Sequence, residues 1–381
     1  MKYLPLICLF LVGCTKKTEQ AQQSIPVSAL RIEPQNIPAN FEFVAVAESS
    51  HIVELRARVE GYLEKITYKE GSMVESNAPL FTLDQRQFID SLNEQKALLA
   101  QREAVLWRAE QQEQRMTPLY IQNAVSQMDY DNAIANSLAA SADVQLSQAS
   151  VMKAEVELSY TQINAPVAGM VGKAVFREGA LISPGPNSLL ANLYVIDPIW
   201  VNFSVSDNDL LKARRETCQK RLVFPPRDEF IIEITLADGT VMPSKGSIDF
   251  LSPAIEQNTG TMLVRAVLPN PEGILRPGLF VKATVKGAMR PNAILVPQEA
   301  VMMGQNGIFV FVISEDGLAT LRPVEVGDWY GNYWIINNGL NPGDIVIGKG
   351  VSRVMNHSKV KVNSWLEPVP VIEETQKTIC E

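Results

Sequence analysis

Residue types able to do chemistry are sparse in this 381-residue chain, and their spacing is wrong for most of it. The two histidines, His51 and His357, stand far apart. Neither sits in a His-Glu-x-x-His or Cys/His pattern that would hold zinc. A nucleophilic serine at a strand-to-helix elbow needs Gly-x-Ser-x-Gly, which does not occur, and a histidine at a strand edge is the plainer reading of both imidazoles. Gly343 to Lys349, GDIVIGK, has the spacing of a phosphate-binding loop. Gly350 nevertheless follows where Ser or Thr would reach magnesium, and the β-branched Ile345, Val346 and Ile347 fit a turn running into a strand. Glu373 and Glu374 lie in a polar tail and read as solvated. No catalytic residue, metal or cofactor is assigned.

One residue does have a context for covalent chemistry. Lys2 precedes a short apolar run ending in Leu11, Val12, Gly13 and Cys14. The run is too short to span a bilayer and reads as a signal segment, residues 1–13, whose end is similar to a bacterial lipobox. Cys14 is then lipidated as the mature N-terminus, and residues 14–27 form a linker that tethers the protein to a membrane. Thr15, in place of the Asp that retains enteric lipoproteins, leaves the leaflet open, with the inner membrane preferred. Cleavage removes Cys8, so Cys218 and Cys380 remain as thiols, and two such distant cysteines do not indicate a disulfide.

A formal net charge of −8 gives no broad basic field, which argues against nucleic-acid binding. With 46% hydrophobic residues the chain can bury several cores, so several modules are expected.

The elements that would position any site fall into blocks. Residues 26–60 hold short alternating runs such as FEFVAVA and IVELRARV, the pattern of half-buried strands. From Asp84 to about Thr161 glycine disappears and strong helix formers dominate. Leu92, Leu99 and Leu106 recur every seventh residue, as do Val144, Val151 and Leu158, a narrow stripe suited to two helices sharing one seam. The break is expected at TPLYIQNAVSQ, where Pro118 should end or kink the first helix and Asn123 suits a turn. Two helices of about 34 residues would reach roughly 50 Å.

Flanking this block is an internal repeat. ARVEGYLEKITYKEG from Ala57 aligns with APVAGMVGKAVFREG from Ala165, an offset of 108 residues, with Val59/Val167, Gly61/Gly169, Lys65/Lys173, Glu70/Glu178 and Gly71/Gly179 identical. Each copy alternates apolar residues and ends in a Glu-Gly turn, so each reads as half of a small β-sandwich, with Gly61, Gly71, Gly169 and Gly179 as turn glycines. Packing the halves together would bring both feet of the helical arm to one place. A lipoyl or biotinyl carrier is built from two such halves, but it presents a lysine at the joining turn. Here the arm replaces that turn, and its tip has no Asp-Lys or Met-Lys pair.

Beyond Ile196 the chain is β-rich again, apart from DNDLLKARRE. The expected organisation is mainly β with a long α-helical hairpin, in an elongated multi-domain chain. Residues 28–48 are strands joining the C-terminal β modules, and 49–84 and 161–197 are lipoyl-like halves around a hairpin at 85–160. A β-barrel occupies 198–288, a membrane-proximal β domain 289–365 and a flexible tail 366–381.

Together the lipobox, the halves around Gly61 and Gly169, LSYTQINAPVAG, IDPIWVNFSVSD, LSPAIEQNTGTMLVRAVLPNPEGILRPGLFV and VPQEAV resemble the membrane fusion protein family, the periplasmic adaptors of resistance-nodulation-division (RND) efflux pumps. The resemblance implies a β-barrel, a lipoyl-like domain, an α-hairpin and a membrane-proximal β domain. It implies a role in multidrug efflux, with an RND inner-membrane transporter and a TolC-like outer-membrane channel as partners and with several copies self-associated around the transporter. It also implies that Arg115, Leu119 and Ser126, at the family's hairpin-tip spacing, contact the channel. Ser126 equally suits the N-cap of the returning helix, with Asp129 three residues on. An adaptor of an ATP-driven exporter, or a periplasmic scaffold, are the alternatives.

Overall fold

The computed structural model describes residues 24–367 apart from residue 306. Cys14, Cys380 and the segments around them lie outside the described residues. Along the chain run β1 (Ile25–Arg31), β2 (Gln35–Arg56), β3 (Gly61–Ile66), β4 (Met73–Val74) and β5 (Pro79–Leu83), then α1 (Arg86–Ile121) and α2 (Gln127–Ser159). After the helices come β6 (Gln162–Asn164), β7 (Gly169–Val171), β8 (Leu181–Ile182), β9 (Leu189–Ser206) and α3 (Asp207–Cys218). Next are β10 (Ile231–Thr235), β11 (Ser247–Glu256), β12 (Thr261–Leu268) and β13 (Phe280–Pro297). The last are β14 (Met302–Gly304), β15 (Gly307–Ile313), β16 (Ala319–Pro323), β17 (Glu325–Tyr330), β18 (Tyr333–Asn338), β19 (Ile345–Lys349) and β20 (Val360–Trp365). Two compact units result among the described residues, one built from residues 42–207 and 231–285, the other from residues 24–41, 208–230 and 286–367.

In the first unit the repeat becomes a clasp. Gly61 and Tyr62 of β3 pair with Ile182 and Leu181 of β8, while Gly169 and Met170 of β7 pair with Val74 and Met73 of β4. The first strand of each copy therefore binds the second strand of the other, in equivalent register. The turns repeat the exchange: Gly71 N donates to Val171 O at 2.9 Å and Gly179 N to Leu63 O at 2.7 Å. Glu70 accepts from Ala174 N at 3.1 Å, and Glu178 accepts from Ile66 N at 2.9 Å. Neither half could satisfy these groups alone, and each carries only part of the core, which contains Leu55, Leu63, Leu80, Leu83, Val171, Ile182, Leu190 and Leu193.

The repeat glycines divide into two kinds. Gly71 and Gly179 hold the turns at φ 77° and 88°, a backbone that side chains resist. Gly61 and Gly169, expected in turns, instead open β3 and β7. At Gly169 a Cβ would stand 2.6 Å from Tyr194 O, so β7 approaches β9 this closely only as glycine. At Gly61 it would meet Leu83 Cβ at 3.6 Å, an ordinary contact.

The same unit carries the antiparallel order β11, β12, β9, β2. Residues 26–60 are not a series of short runs. β2 alone is 22 residues long, and its pairing with β9 absorbs irregularities at Ser49/His51 and Leu55/Arg56. After β12, buried Asn270 organises the following loop: Nδ2 donates to Ile196 O at 3.0 Å and Leu275 O at 2.8 Å, and Oδ1 accepts from Leu275 N at 3.1 Å.

In the second unit β1 joins β19 antiparallel and β20 parallel, beside β15, β14 and β16. GDIVIGK is a turn at Gly343 leading into β19. Buried Arg290 pairs with Glu216 and Asp328, at 2.7 and 2.8 Å, which ties α3 to β13 and β17.

Candidate functional site at the hairpin tip

The hairpin is set on its base by the strands that flank it. Leu83 N donates to Thr161 O at 2.8 Å, Gln85 Nε2 to Thr161 Oγ1 at 2.8 Å, and β5 pairs with β6. Asp84 accepts from Arg86 N at 3.0 Å, which satisfies a free donor at the start of α1. The Arg86 guanidinium on the same carboxylate holds the Asp84 pKa down to about 2.

Above the base the seam is narrow. Buried residues of α2 are Ala133, Ser137, Ala140, Val144, Ser147, Val151 and Ala154, spaced alternately by four and three. On α1 only Leu92 is buried, with Leu99 and Leu158 packed partly against it. Small residues on α2 let the leucines of α1 seat without a bulky partner. Ion pairs Lys96–Glu155 and Arg102–Asp143 cross between the helices on the outside. No helix among the described residues is long and apolar enough to cross a membrane.

At the tip, the expectation for Pro118 is corrected: α1 passes through it and ends at Ile121. A proline this near the C-terminus removes only one intrahelical donor, so the last turn survives. Asn123, at φ 56°, then closes the helix: Asn123 N bonds Tyr120 O at 2.9 Å and Ala124 N bonds Leu119 O at 2.8 Å. These two bonds form the pattern that ends helices at a left-handed residue. Ser126 starts α2, with Oγ accepting from Asp129 N at 3.1 Å and lying 2.6 Å from Asp129 Oδ2.

Arg115 and Leu119, four residues apart on an unbroken helix, share one face, and Ser126 follows across the turn. All three are exposed. Arg115 hydrogen-bonds Gln112 Oε1 of its own helix at 3.2 Å. Tyr120 and Tyr130 stack across the turn with centroids 4.6 Å apart and planes 6° from parallel, fixing the two helix ends relative to each other. That pair was not anticipated from sequence, although two tyrosines straddling a short turn are its signal. Ile121 and Met128 are exposed beside it.

A sandwich made of two clasped halves, interrupted by a rigid hairpin with an exposed tip and followed by β modules, defines an adaptor class of protein. Residues 51–195 match the family model for the RND membrane fusion protein barrel-sandwich hybrid domain, residues 198–289 that for its β-barrel domain, and residues 292–353 that for its C-terminal permuted SH3 domain. The chain belongs to the RND membrane fusion protein family, the periplasmic adaptors of efflux pumps. It is 32% identical over 359 residues to the toluene efflux pump periplasmic linker protein TtgA of Pseudomonas putida, covering 94% of this chain and 90% of that protein. It is 31% identical over 356 residues to the multidrug efflux pump subunit AcrA of Escherichia coli, covering 93% and 89%. In fold it is similar to MacA from Actinobacillus actinomycetemcomitans, with a TM-score of 0.56 and 24% identity over 83% of this chain and 98% of that one.

Proposed function

We propose that this chain bridges an RND inner-membrane transporter and an outer-membrane channel, with Arg115, Leu119 and Ser126 as the channel contact and no bond chemistry of its own. What carries this reading is that the three side chains are exposed at the end of the hairpin, and none of them belongs to a buried core. Arg115 offers a fork of donors to carbonyls at helix ends, Leu119 fills a shallow apolar groove, and Ser126 permits close approach. Cys14 carries the lipid that holds the protein to the membrane, preferably the inner one, and several copies gather around the transporter. Gly260 and Gly278, at φ 63° and 89°, serve turns and are not assigned to transporter contact.

Arg115→Asp tests the tip. Drug resistance should fall to the level of a strain lacking the protein, while abundance and thermal unfolding stay at wild type; unchanged resistance would remove Arg115 from the contact. For the anchor, labelled palmitate should enter the wild-type protein and fail to enter Cys14→Ala. Equal labelling of the two would reject Cys14 as the lipid site.

A further inference from the structure

Arg115 and Leu119 stand on α1, while Ser126 starts α2. A partner meets them as one surface only while the end of the first helix and the start of the second keep a fixed relation. Little of the seam reaches that far. The buried residues of α2 begin at Ala133, and α1 buries only Leu92. The ion pairs that cross between the helices, Lys96–Glu155 and Arg102–Asp143, lie nearer the base.

The last turn of α1 is also short of a bond. Pro118 has no N–H to give the Gln114 carbonyl, and the turn it weakens carries Leu119. Its own carbonyl accepts from Gln122 N at 3.1 Å, so the turn is closed from the residues that follow it. Across the turn the ring of Tyr120 lies on that of Tyr130, both half-buried. Tyr120 shares its turn of helix with Leu119, and Tyr130 is one turn into α2, its N–H donating to Ser126 O at 3.2 Å. The stack therefore joins the turn that holds Leu119 to the turn that Ser126 begins. Two flat faces 4.6 Å apart and 6° from parallel fix the helix ends in both separation and twist.

We propose that Tyr120 and Tyr130 are positioning residues for the channel contact: they touch no partner, and they hold Arg115 and Leu119 at the distance and angle from Ser126 that docking requires. This rests on the tip reading and adds to it the device that preorganises the surface before a partner arrives. An open stack leaves the three contact residues out of register, and the apparent affinity for the channel falls with the fraction of tips that remain closed. An aromatic pair of this kind shifts the balance between closed and open by about two- to tenfold.

The test uses the full chain in cells that depend on it for drug resistance. Tyr120→Ala, Tyr130→Ala and the double alanine variant are compared with Tyr120→Phe and Tyr130→Phe at equal abundance. Either alanine variant should lower the inhibitory drug concentration by about two- to tenfold. In the purified variants the amides of Asn123 and Ala124 should exchange faster by a similar factor, while thermal unfolding stays at wild type because neither ring is buried in a core. The phenylalanine variants keep the stacked faces and should keep resistance. The double alanine variant should lose no more than either single one, since all three remove the same interaction. Losses that multiply, or phenylalanine variants as weak as the alanine ones, would mean that the tyrosines touch the partner themselves and would overturn the proposal. Lost resistance with unchanged exchange at Asn123 and Ala124 would overturn it too. Arg115→Asp, run beside them, separates the readings. If it abolishes export and the alanine variants keep wild-type resistance, the tip contact stands and the positioning role falls. If it leaves export intact, the two fall together.

Discussion

The clasped sandwich and the hairpin that interrupts it are held together in opposite ways. In the sandwich, strand edges, turn amides and carboxylates of one half are completed by the other, around a core with members from both sheets. In the hairpin, one seam of alanines, serines and valines faces one buried leucine with Leu99 and Leu158 packed partly beside it, and most other residues are exposed or half-buried. The sandwich uses its side chains to exist. The hairpin needs few of them, so residues at its tip are free to serve a partner. Substitutions should accordingly cost stability in the first region and function in the second.

Gly169 offers the largest effect. Gly169→Ala drives a Cβ into the Tyr194 backbone and should cost about 2–3 kcal/mol, read as a lowered midpoint in thermal or denaturant unfolding. The repeat-equivalent Gly61→Ala should cost less than about 1 kcal/mol, since its Cβ meets only an ordinary contact. Equal losses at the two positions would mean that repeat identity, not local approach, decides the residue.

Glu70 and Glu178 sharpen the comparison within the clasp. Glu70→Ala leaves the part-buried Ala174 N without its acceptor and should cost about 1–2 kcal/mol. The Ile66 N released by Glu178→Ala is exposed, so water replaces the carboxylate and the loss should be under about 0.5 kcal/mol. The Glu70–Arg177 ion pair adds little, being largely exposed. If both alanine variants unfold like wild type, the exchanged hydrogen bonds follow from the pairing and do not sustain it.

Much of this contrast was legible in sequence because it rests on repetition and period. Identities 108 residues apart announced two halves, and the absence of glycine from Asp84 to Thr161 announced the helices. Legibility stopped where one residue type has two uses. Ala133, Ser137 and Ala140 read as helix formers, while their burial in the seam depends on how closely α1 approaches. Pro118 reads as a helix end, yet within the last turn it removes one donor and α1 continues to Ile121. Gly61 and Gly169 are identical letters, and only the distance from each to its facing strand separates them. At the tip, the spacing of Arg115, Leu119 and Ser126 could be read, whereas the Tyr120–Tyr130 stack depends on how closely the turn brings the two helix ends together.

Ser126 caps α2 and also belongs to the proposed channel contact, and two substitutions pull those roles apart. Ser126→Ala removes the acceptor for Asp129 N and should cost the hairpin about 1 kcal/mol, the usual loss of a serine N-cap. A small side chain remains, so the partner can still approach and export should stay near wild type. Ser126→Asn supplies another good cap and should leave stability unchanged within a few tenths of a kcal/mol. Its larger side chain, however, occupies the exposed surface where a helix end would close on the tip, and resistance should drop. The measurement is drug resistance beside hydrogen exchange at the first turn of α2. Should the alanine variant lose export and the asparagine variant keep it, Ser126 acts only by starting α2, and the contact rests on Arg115 and Leu119.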